Sequence, residues 1–330
     1  MNVEDMRKVL VIGAGVMGEG ITQSFAEGGM DVTLVDIRKR PEGLENQSLD
    51  RCRNQIEANL VLMQEFGLLS EDPSLVASRI DFRHMGDMAG IESAMEGVDF
   101  VVETVPEMLD LKRELFSRLD ACRQDVILCS NTSSLTITDL AEGLQAPGRM
   151  VGLHYFYPAH IIPLVEIHGG KDTAEEAIAT ARELMKRVGK KPIVLKKAIQ
   201  GFIVNRIQAA YNREVTDLLD QGITTAEELD MAARASYGFR LAVLGPLEIH
   251  DLNGLDIVLK AGGKTRQAIC NDREPCPLLV KKVEAGELGV KTGKGWHDYE
   301  GRTREEVLAQ SNRKMLQQLA LFRSLDKAEK

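Results

Sequence analysis

His154 and Glu166 are the residues of this chain best suited to moving a proton. Each falls on an expected strand or strand end, and the turn between them carries Pro158 and Pro163, so a folded-back connection can bring imidazole and carboxylate together. An imidazole takes a proton from an alcohol most effectively when its pKa lies near the working pH. A neighbouring carboxylate orients the ring and stabilises its charged form. A serine hydroxyl such as Ser133 can then hydrogen-bond the reacting oxygen. Single histidines are more often structural than catalytic, so the pair needs support from the rest of the chain. A metal reading competes, because Glu166 and His168 share a strand face with His160 nearby. Without an H-x-x-x-H pair or a cysteine cluster, no metal site is expected.

A second chemistry-bearing stretch lies at the start. The apolar run Val9 to Ile12 leads without a spacer into Gly13-Ala14-Gly15-Val16-Met17-Gly18. In a strand, turn and helix of this pattern, Gly13 permits the tight turn, Gly15 lets backbone approach a pyrophosphate, and Gly18 lets the helix pack close to the strand. The N–H groups of Val16 and Met17 then open a helix whose terminus favours anions. Glycine-rich turns are common, so context decides. Met17 to Glu27 can form the helix, Gly28-Gly29 can end it, and Asp31 to Asp36 reads as a second strand closing with an acid. Asp36 lies 18 residues beyond Gly18, near the spacing at which a carboxylate meets an adenosine ribose. Arg38 can neutralise a 2′-phosphate, but Asp36 would repel it, so NAD is expected rather than NADP.

The elements that must position these residues follow in order. Glu45 to Phe66 has helical spacing at Leu49, Cys52, Ile56, Leu60 and Met63; Pro73 and Ser74 punctuate; Arg79 to Arg83 reads as a strand and Gly86 to Met95 as a short helix. Val98 to Glu103 is a strand, and Leu109, Lys112, Leu115, Phe116 and Leu119 mark a helix after the turn at Glu107. Val126 to Ser130 and Val151 to His154 are further buried strands. Open α/β sheets bind ligands beyond the carboxyl ends of their strands, so Glu107, Asn131, Ser133 and His154 are expected to gather above the cofactor. Leu164 to His168, a helix from Thr173 to Val188, and a strand from Lys191 to Leu195 complete the first part. From Phe202 the pattern turns helical, over Phe202 to Asp220, Thr225 to Ala235, Leu247 to Ala261 and Leu278 to Glu284, with a capping box at Thr303 and Glu306 before a last helix. The fold class is α/β, a Rossmann-type doubly wound, mostly parallel sheet (1–197) followed by an all-α domain (198–330).

Composition bounds the rest. At 330 residues the chain has room for two domains, and 44% apolar with 28% charged residues describes an ordinary soluble protein. The net charge of −9 argues against nucleic acid or an anionic membrane as partner, since both need basic surface. Five cysteines with no C-x-x-C pair exclude a disulfide framework, and no apolar leader or run of 18 apolar residues appears, so a reducing cytoplasm is the expected compartment.

Taken together, the residues resemble the 3-hydroxyacyl-CoA dehydrogenase family over nearly the whole chain. The Gly13–Gly18 turn is followed in order by Val105-Pro106-Glu107, Ser130-Asn131-Thr132-Ser133-Ser134, His154 with Pro158, and Pro163-Leu164-Val165-Glu166. Gly201-Phe202-Ile203-Val204-Asn205-Arg206, Gly245-Pro246-Leu247-Glu248 and Lys291-Thr292-Gly293-Lys294-Gly295-Trp296 complete the series. The resemblance implies NAD as cofactor, a homodimer formed through the helical domain, and reversible oxidation of a 3-hydroxy group. His154 would be the base, Glu166 its orienting partner, Ser133 and Asn205 polar groups on the substrate, and Glu107 a neighbour of the nicotinamide ribose. An L-3-hydroxyacyl-CoA is the leading small-molecule substrate.

Two departures bear on that substrate. The family commonly has His-Phe-Phe-Asn-Pro where this chain reads His154-Tyr155-Phe156-Tyr157-Pro158, and the lysine-rich arm of fatty acyl-CoA members is missing, since Asn54 to Arg79 contains no lysine. The second feature is similar to the lambda-crystallin and L-gulonate 3-dehydrogenase branch, so a non-CoA hydroxylated carboxylate stands as the alternative. A non-catalytic, NAD-binding structural or sensor protein is the competitor from another class.

Overall fold

Short runs of β-branched and aliphatic residues build one eight-stranded sheet in the computed structural model, which describes residues 3–261 and 263–328. The strands are β1 (Lys8–Ile12), β2 (Asp31–Asp36), β3 (Ile80–His84), β4 (Phe100–Glu103), β5 (Ile127–Ser130), β6 (Met150–Tyr155), β7 (Leu164–Gly169) and β8 (Lys191–Val194). They lie in the order β3-β2-β1-β4-β5-β6-β7-β8. All neighbours run parallel except β6 and β7, which are antiparallel. The first six strands thus have the doubly wound Rossmann order expected from the sequence.

Alternation along each strand splits the core in two. Val9 and Val11 of β1, Phe100 and Val102 of β4, and Ile127 and Cys129 of β5 pack on one face, together with Ile21, Phe25 and Ala26 of the helix Val16–Glu27. Leu10, Ile12, Val101 and Leu128 pack on the other, with Leu115, Phe116 and Leu119 of the helix Leu109–Cys122. Strands buried on both faces need no polar positions, which is why they read as continuous apolar runs. At β6 and β7 this changes. Val151, Leu153, Tyr155, Val165 and Ile167 join the first core, and the opposite face carries Gly152, His154, Glu166 and His168 instead of aliphatics.

The chain divides into two compact units, Met1–Phe202 and Ile203–Lys330. The second is built of helices, the longest being Val204–Asp220 and Arg304–Ala328. The expected capping box is formed, as Glu306 Oε2 accepts from Thr303 N at 2.8 Å and Thr303 Oγ1 from Glu306 N at 3.2 Å. Three expectations are corrected. Gly86 to Met95 is not a helix throughout; only Ile91–Met95 turns, as a 3-10 helix, because Gly86 and Gly90 both take positive φ. Leu247 to Ala261 is two helices, Pro246–Asn253 and Leu255–Ala261, broken at Gly254 with φ +87°. Pro73 does not merely punctuate but opens the helix Pro73–Ser78, with the Asp72 carboxylate accepting from Ser74 N. Among the described residues no helix is long and apolar enough to cross a membrane.

Candidate active site

The antiparallel pairing of β6 with β7 sets His154 directly opposite Glu166. Directly opposed side chains share a face within contact distance, and here His154 Nδ1 lies 2.8 Å from Glu166 Oε2. Both are buried, the carboxylate completely. With Glu166 ionised its carboxylate can only accept, and in that state Nδ1 carries the hydrogen and Nε2 is the acceptor. The ring contacts two phenyl groups, with centroids 4.6 Å away at Phe156 and 5.2 Å at Phe202, both tilted to it. Phe202 takes φ +50°, uncommon for a residue with a side chain, and its ring also stacks 4.3 Å from His168.

The polar ends of β4 and β5 are tied to this pair. Asn131 follows β5, and its side-chain oxygen accepts from Tyr155 N at 2.9 Å, fastening the loop beside His154. Glu107 organises the residues after Asn131, because its Oε1 accepts from Thr132 Oγ1 at 2.5 Å and from Ser133 N, Ser134 N and Ser134 Oγ at 3.0 Å each. Partial burial raises the Glu107 carboxyl, but the hydrogen bonds from Thr132, Lys112 and Ser134 and the Lys112 charge outweigh it and bring it to about 2. The carboxylate that the family resemblance sets near the nicotinamide ribose is therefore ionised and already occupied in shaping the Ser133 loop.

Sequence reasoning missed the cation behind this arrangement. Lys112 is completely buried and bridges Glu107 Oε2 at 2.9 Å and the Glu103 carboxylate at 3.0 Å. Glu103, at the end of β4, also accepts from Ser130 Oγ and Val105 N, both at 2.6 Å. The available signal was an apolar strand ending in Glu, followed by Pro-Glu and then a lysine on the inward stripe of the next helix.

The cofactor loop has the shape a dinucleotide needs. Gly13 takes φ +118°, and a Cβ on Gly18 would stand 1.8 Å from the Gly13 carbonyl oxygen, so the helix Val16–Glu27 packs against the turn only because Gly18 has no side chain. At Gly15 a Cβ would meet nothing within 4 Å, an opening at the helix N-terminus where a diphosphate can approach backbone N–H groups. No side chain caps this helix at Gly15. Val16 and Met17 form its first turn. Asp36 ends β2 with one oxygen accepting from Arg38 N at 3.0 Å and the other from Arg40, at 2.9 Å from Nη2 and 3.2 Å from Nε. These residues fit NAD: a cradle for a diphosphate and an acid for the ribose. The side-chain cation on Asp36 is Arg40, a pairing not anticipated from the sequence, while Arg38 contributes only its backbone N–H.

His154, Glu166, Asn131, Ser133 and Glu107 are thus linked within the first unit, while Asn205 stands on the first turn of Val204–Asp220 in the second.

Residues 8–198 match the family model for the 3-hydroxyacyl-CoA dehydrogenase NAD binding domain, and residues 201–299 match that for the 3-hydroxyacyl-CoA dehydrogenase C-terminal domain. The chain is 31% identical to a 5-formyl-3-hydroxy-2-methylpyridine 4-carboxylate 5-dehydrogenase of Mesorhizobium japonicum, covering 94% of this chain and 96% of that protein. It is 33% identical to a 3-hydroxybutyryl-CoA dehydrogenase of Clostridioides difficile over 88% of this chain and 99% of that one. A crystal structure of a dehydrogenase of the first kind, described as an NAD+ dependent dismutase, superposes with a TM-score of 0.84 at 31% identity, covering 97% of this chain and 99% of its own. The 3-hydroxybutyryl-CoA dehydrogenase structure from Ralstonia eutropha superposes at 0.67, with 31% identity over 89% of this chain and 99% of its own. With both of its parts matched in order by one family's models, this chain belongs to the 3-hydroxyacyl-CoA dehydrogenase family of NAD-dependent oxidoreductases.

Proposed function

We propose that the protein oxidises a secondary hydroxyl reversibly, with His154 as acid and base and Glu166 as its orienting partner. The observation that carries this is the 2.8 Å contact between His154 Nδ1 and Glu166 Oε2, both buried. It sets the tautomer in which Nε2 takes the hydroxyl proton, and the carboxylate stabilises the imidazolium that results. In the reverse direction Nε2 returns the proton to the carbonyl oxygen. Phe156 and Phe202 pack against the ring, which is 5% exposed. NAD, when bound, supplies the hydride chemistry. Gly13, Gly15, Val16, Met17, Gly18 and Asp36 are assigned to holding it, with Glu107 and Asn131 at its nicotinamide end. Ser133 and Asn205 are assigned to the substrate oxygen.

The leading substrate is an L-3-hydroxyacyl-CoA, supported by the family to which both parts of the chain belong. A second reading, a hydroxylated carboxylate without CoA, is favoured by the relative named for a pyridine carboxylate and by the absence of lysine from Asn54 to Arg79. NADH oxidation with acetoacetyl-CoA, set beside equal free acetoacetate, separates the two. Turnover of the thioester alone supports the first. No turnover of the thioester by protein that binds NADH removes it. In either case His154→Ala should cost about 10²- to 10⁴-fold in turnover, the range of a positioned acid or base. Undiminished turnover would end the assignment of His154.

The active form is proposed to be a homodimer through the helical unit. Among the described residues none from Val204 to Glu284 is buried, and the large apolar side chains Phe239, Leu247, Leu252 and Leu259 are 71% to 74% exposed, which supports an apolar surface covered by a second copy. A monomer mass by light scattering at micromolar concentration would remove this part.

A further inference from the structure

Three arginines, Arg51, Arg53 and Arg79, flank the lysine-free stretch after β2, and their surroundings differ. Arg53 lies over the Phe82 ring at 4.4 Å, and Arg79 grips both oxygens of Glu71 at 2.7 Å. Arg51 alone of the three reaches the glycine-rich turn. Its Nη2 donates to the Ala14 carbonyl at 3.2 Å and to Cys52 Sγ at 3.3 Å, and its Nη1 to Glu19 Oε2 at 2.8 Å. The guanidinium thus stands on the helix Gln47–Glu65, beside both the turn and the first turn of the helix Val16–Glu27.

Glu19 makes this placement informative. It is an acid in the first turn of the very helix whose N-terminus faces the cofactor's diphosphate, and it is 6% exposed. An unneutralised carboxylate there would repel the diphosphate at close range in a poorly screened position. Burial pushes the Glu19 carboxyl above its ordinary value, with the Arg51 charge and hydrogen bond opposing the rise. Arg51 itself keeps about half of its side chain in solvent at 49%, unlike Glu19 at 8%. A guanidinium has five N–H donors, and three contacts are accounted for by Glu19, Ala14 and Cys52. Donors therefore remain on a half-exposed side chain anchored at the glycine-rich turn.

We infer that Arg51 is a cofactor-binding residue, which neutralises Glu19 with one edge and hydrogen-bonds the dinucleotide diphosphate with the other. The inference rests on the reading of Gly13–Gly18 as the diphosphate loop. Glu19 then serves as the anchor that holds the guanidinium in place, and Ala14 sets its height above the turn. The recognised ligand class is any adenine nucleotide diphosphate, including NADH and ADP-ribose.

A double-variant cycle on NADH binding, read by the emission of the bound nicotinamide and needing no substrate, tests this. Arg51→Gln is expected to weaken NADH about tenfold, the lower end of what a hydrogen bond to a charged group contributes. That loss alone does not separate the two roles, since an uncompensated Glu19 would also repel the cofactor. Glu19→Gln removes the repulsion, so the deciding comparison is Glu19→Gln with Arg51→Gln against Glu19→Gln alone. If the double variant binds NADH and ADP-ribose several-fold more weakly, with a smaller salt dependence, Arg51 contacts the diphosphate. If the two bind equally, Arg51 serves only Glu19 and the inference is overturned. The comparison stands even if Arg51→Gln alone fails to fold, because both proteins in it lack the buried charge. Failure of the unaltered protein to bind NADH would instead remove the reading of the loop.

Discussion

His168 of β7 lies flat against the bare backbone of Gly152 on β6, so closely that a Cβ at 152 would stand 2.2 Å from His168 Nε2. The imidazole is fully buried two residues beyond Glu166, and within the described residues neither ring nitrogen has a hydrogen-bond partner. Burial, followed by the nearby His154 and against the pull of Glu166, lowers its pKa to about 4 from the ordinary 6.5. The sign follows from the depressed value. Above 6.5 both folded and unfolded forms hold the ring neutral; as pH falls from 6.5 towards 4, the unfolded chain takes a proton that the folded one refuses, and stability is lost. His168→Leu should therefore flatten the loss of urea stability between pH 7 and pH 5. His160, lowered to about 3 by its own burial and by Lys190, should leave a residual slope. A slope as steep as in the unaltered protein would clear His168 of the effect.

Lys112 joins Glu103 to Glu107 from inside the protein. Its removal leaves a completely buried carboxylate without its cation, and breaking such a pair from one side typically costs about 3 to 5 kcal/mol. Lys112→Met should lower the thermal midpoint sharply. Glu103→Gln in the same chain should recover part of the loss, since the charge left behind is what destabilises. A Lys112→Met protein as stable as the original would mean that water compensates Glu103.

How much of this was legible beforehand depended on distance along the chain. The helix Gln47–Glu65 buries Leu49, Cys52, Ile56, Leu60 and Met63, the very stripe its spacing marks out, because amphipathic period is a local property. Strand alternation likewise put Glu166 and His168 on one face. What could not be read was pairing between elements. Lys112 sits on the same inward stripe as Leu115 and Leu119, and nothing local says that its amine finds two carboxylates rather than solvent. The same holds for Glu19 and Arg51, 32 residues apart. Other misses had a signal that was underweighted: Asp72-Pro73 is an N-cap followed by a first-turn proline, and Asn253-Gly254 marks a break.

Gly15 and Gly18 separate cofactor binding from folding within one turn. Gly18→Ala drives a methyl into the Gly13 carbonyl, with Thr104 Oγ1 at 2.8 Å on another side, and backbone cannot step aside as a flexible side chain can. Overpacking of this kind costs about 1 to 3 kcal/mol or more, so the thermal midpoint should fall whether or not NADH is present. Gly15 has φ −86° and open space around its Cβ position, a conformation alanine adopts without strain. Gly15→Ala should therefore leave the unliganded midpoint nearly unchanged and act only where a ligand's diphosphate would sit, weakening NADH by about tenfold or more and abolishing the rise in midpoint that NADH confers. Unaltered NADH affinity in Gly15→Ala would place the diphosphate away from this turn, because among the described residues nothing beyond its chain neighbours lies within 4 Å of that Cβ position.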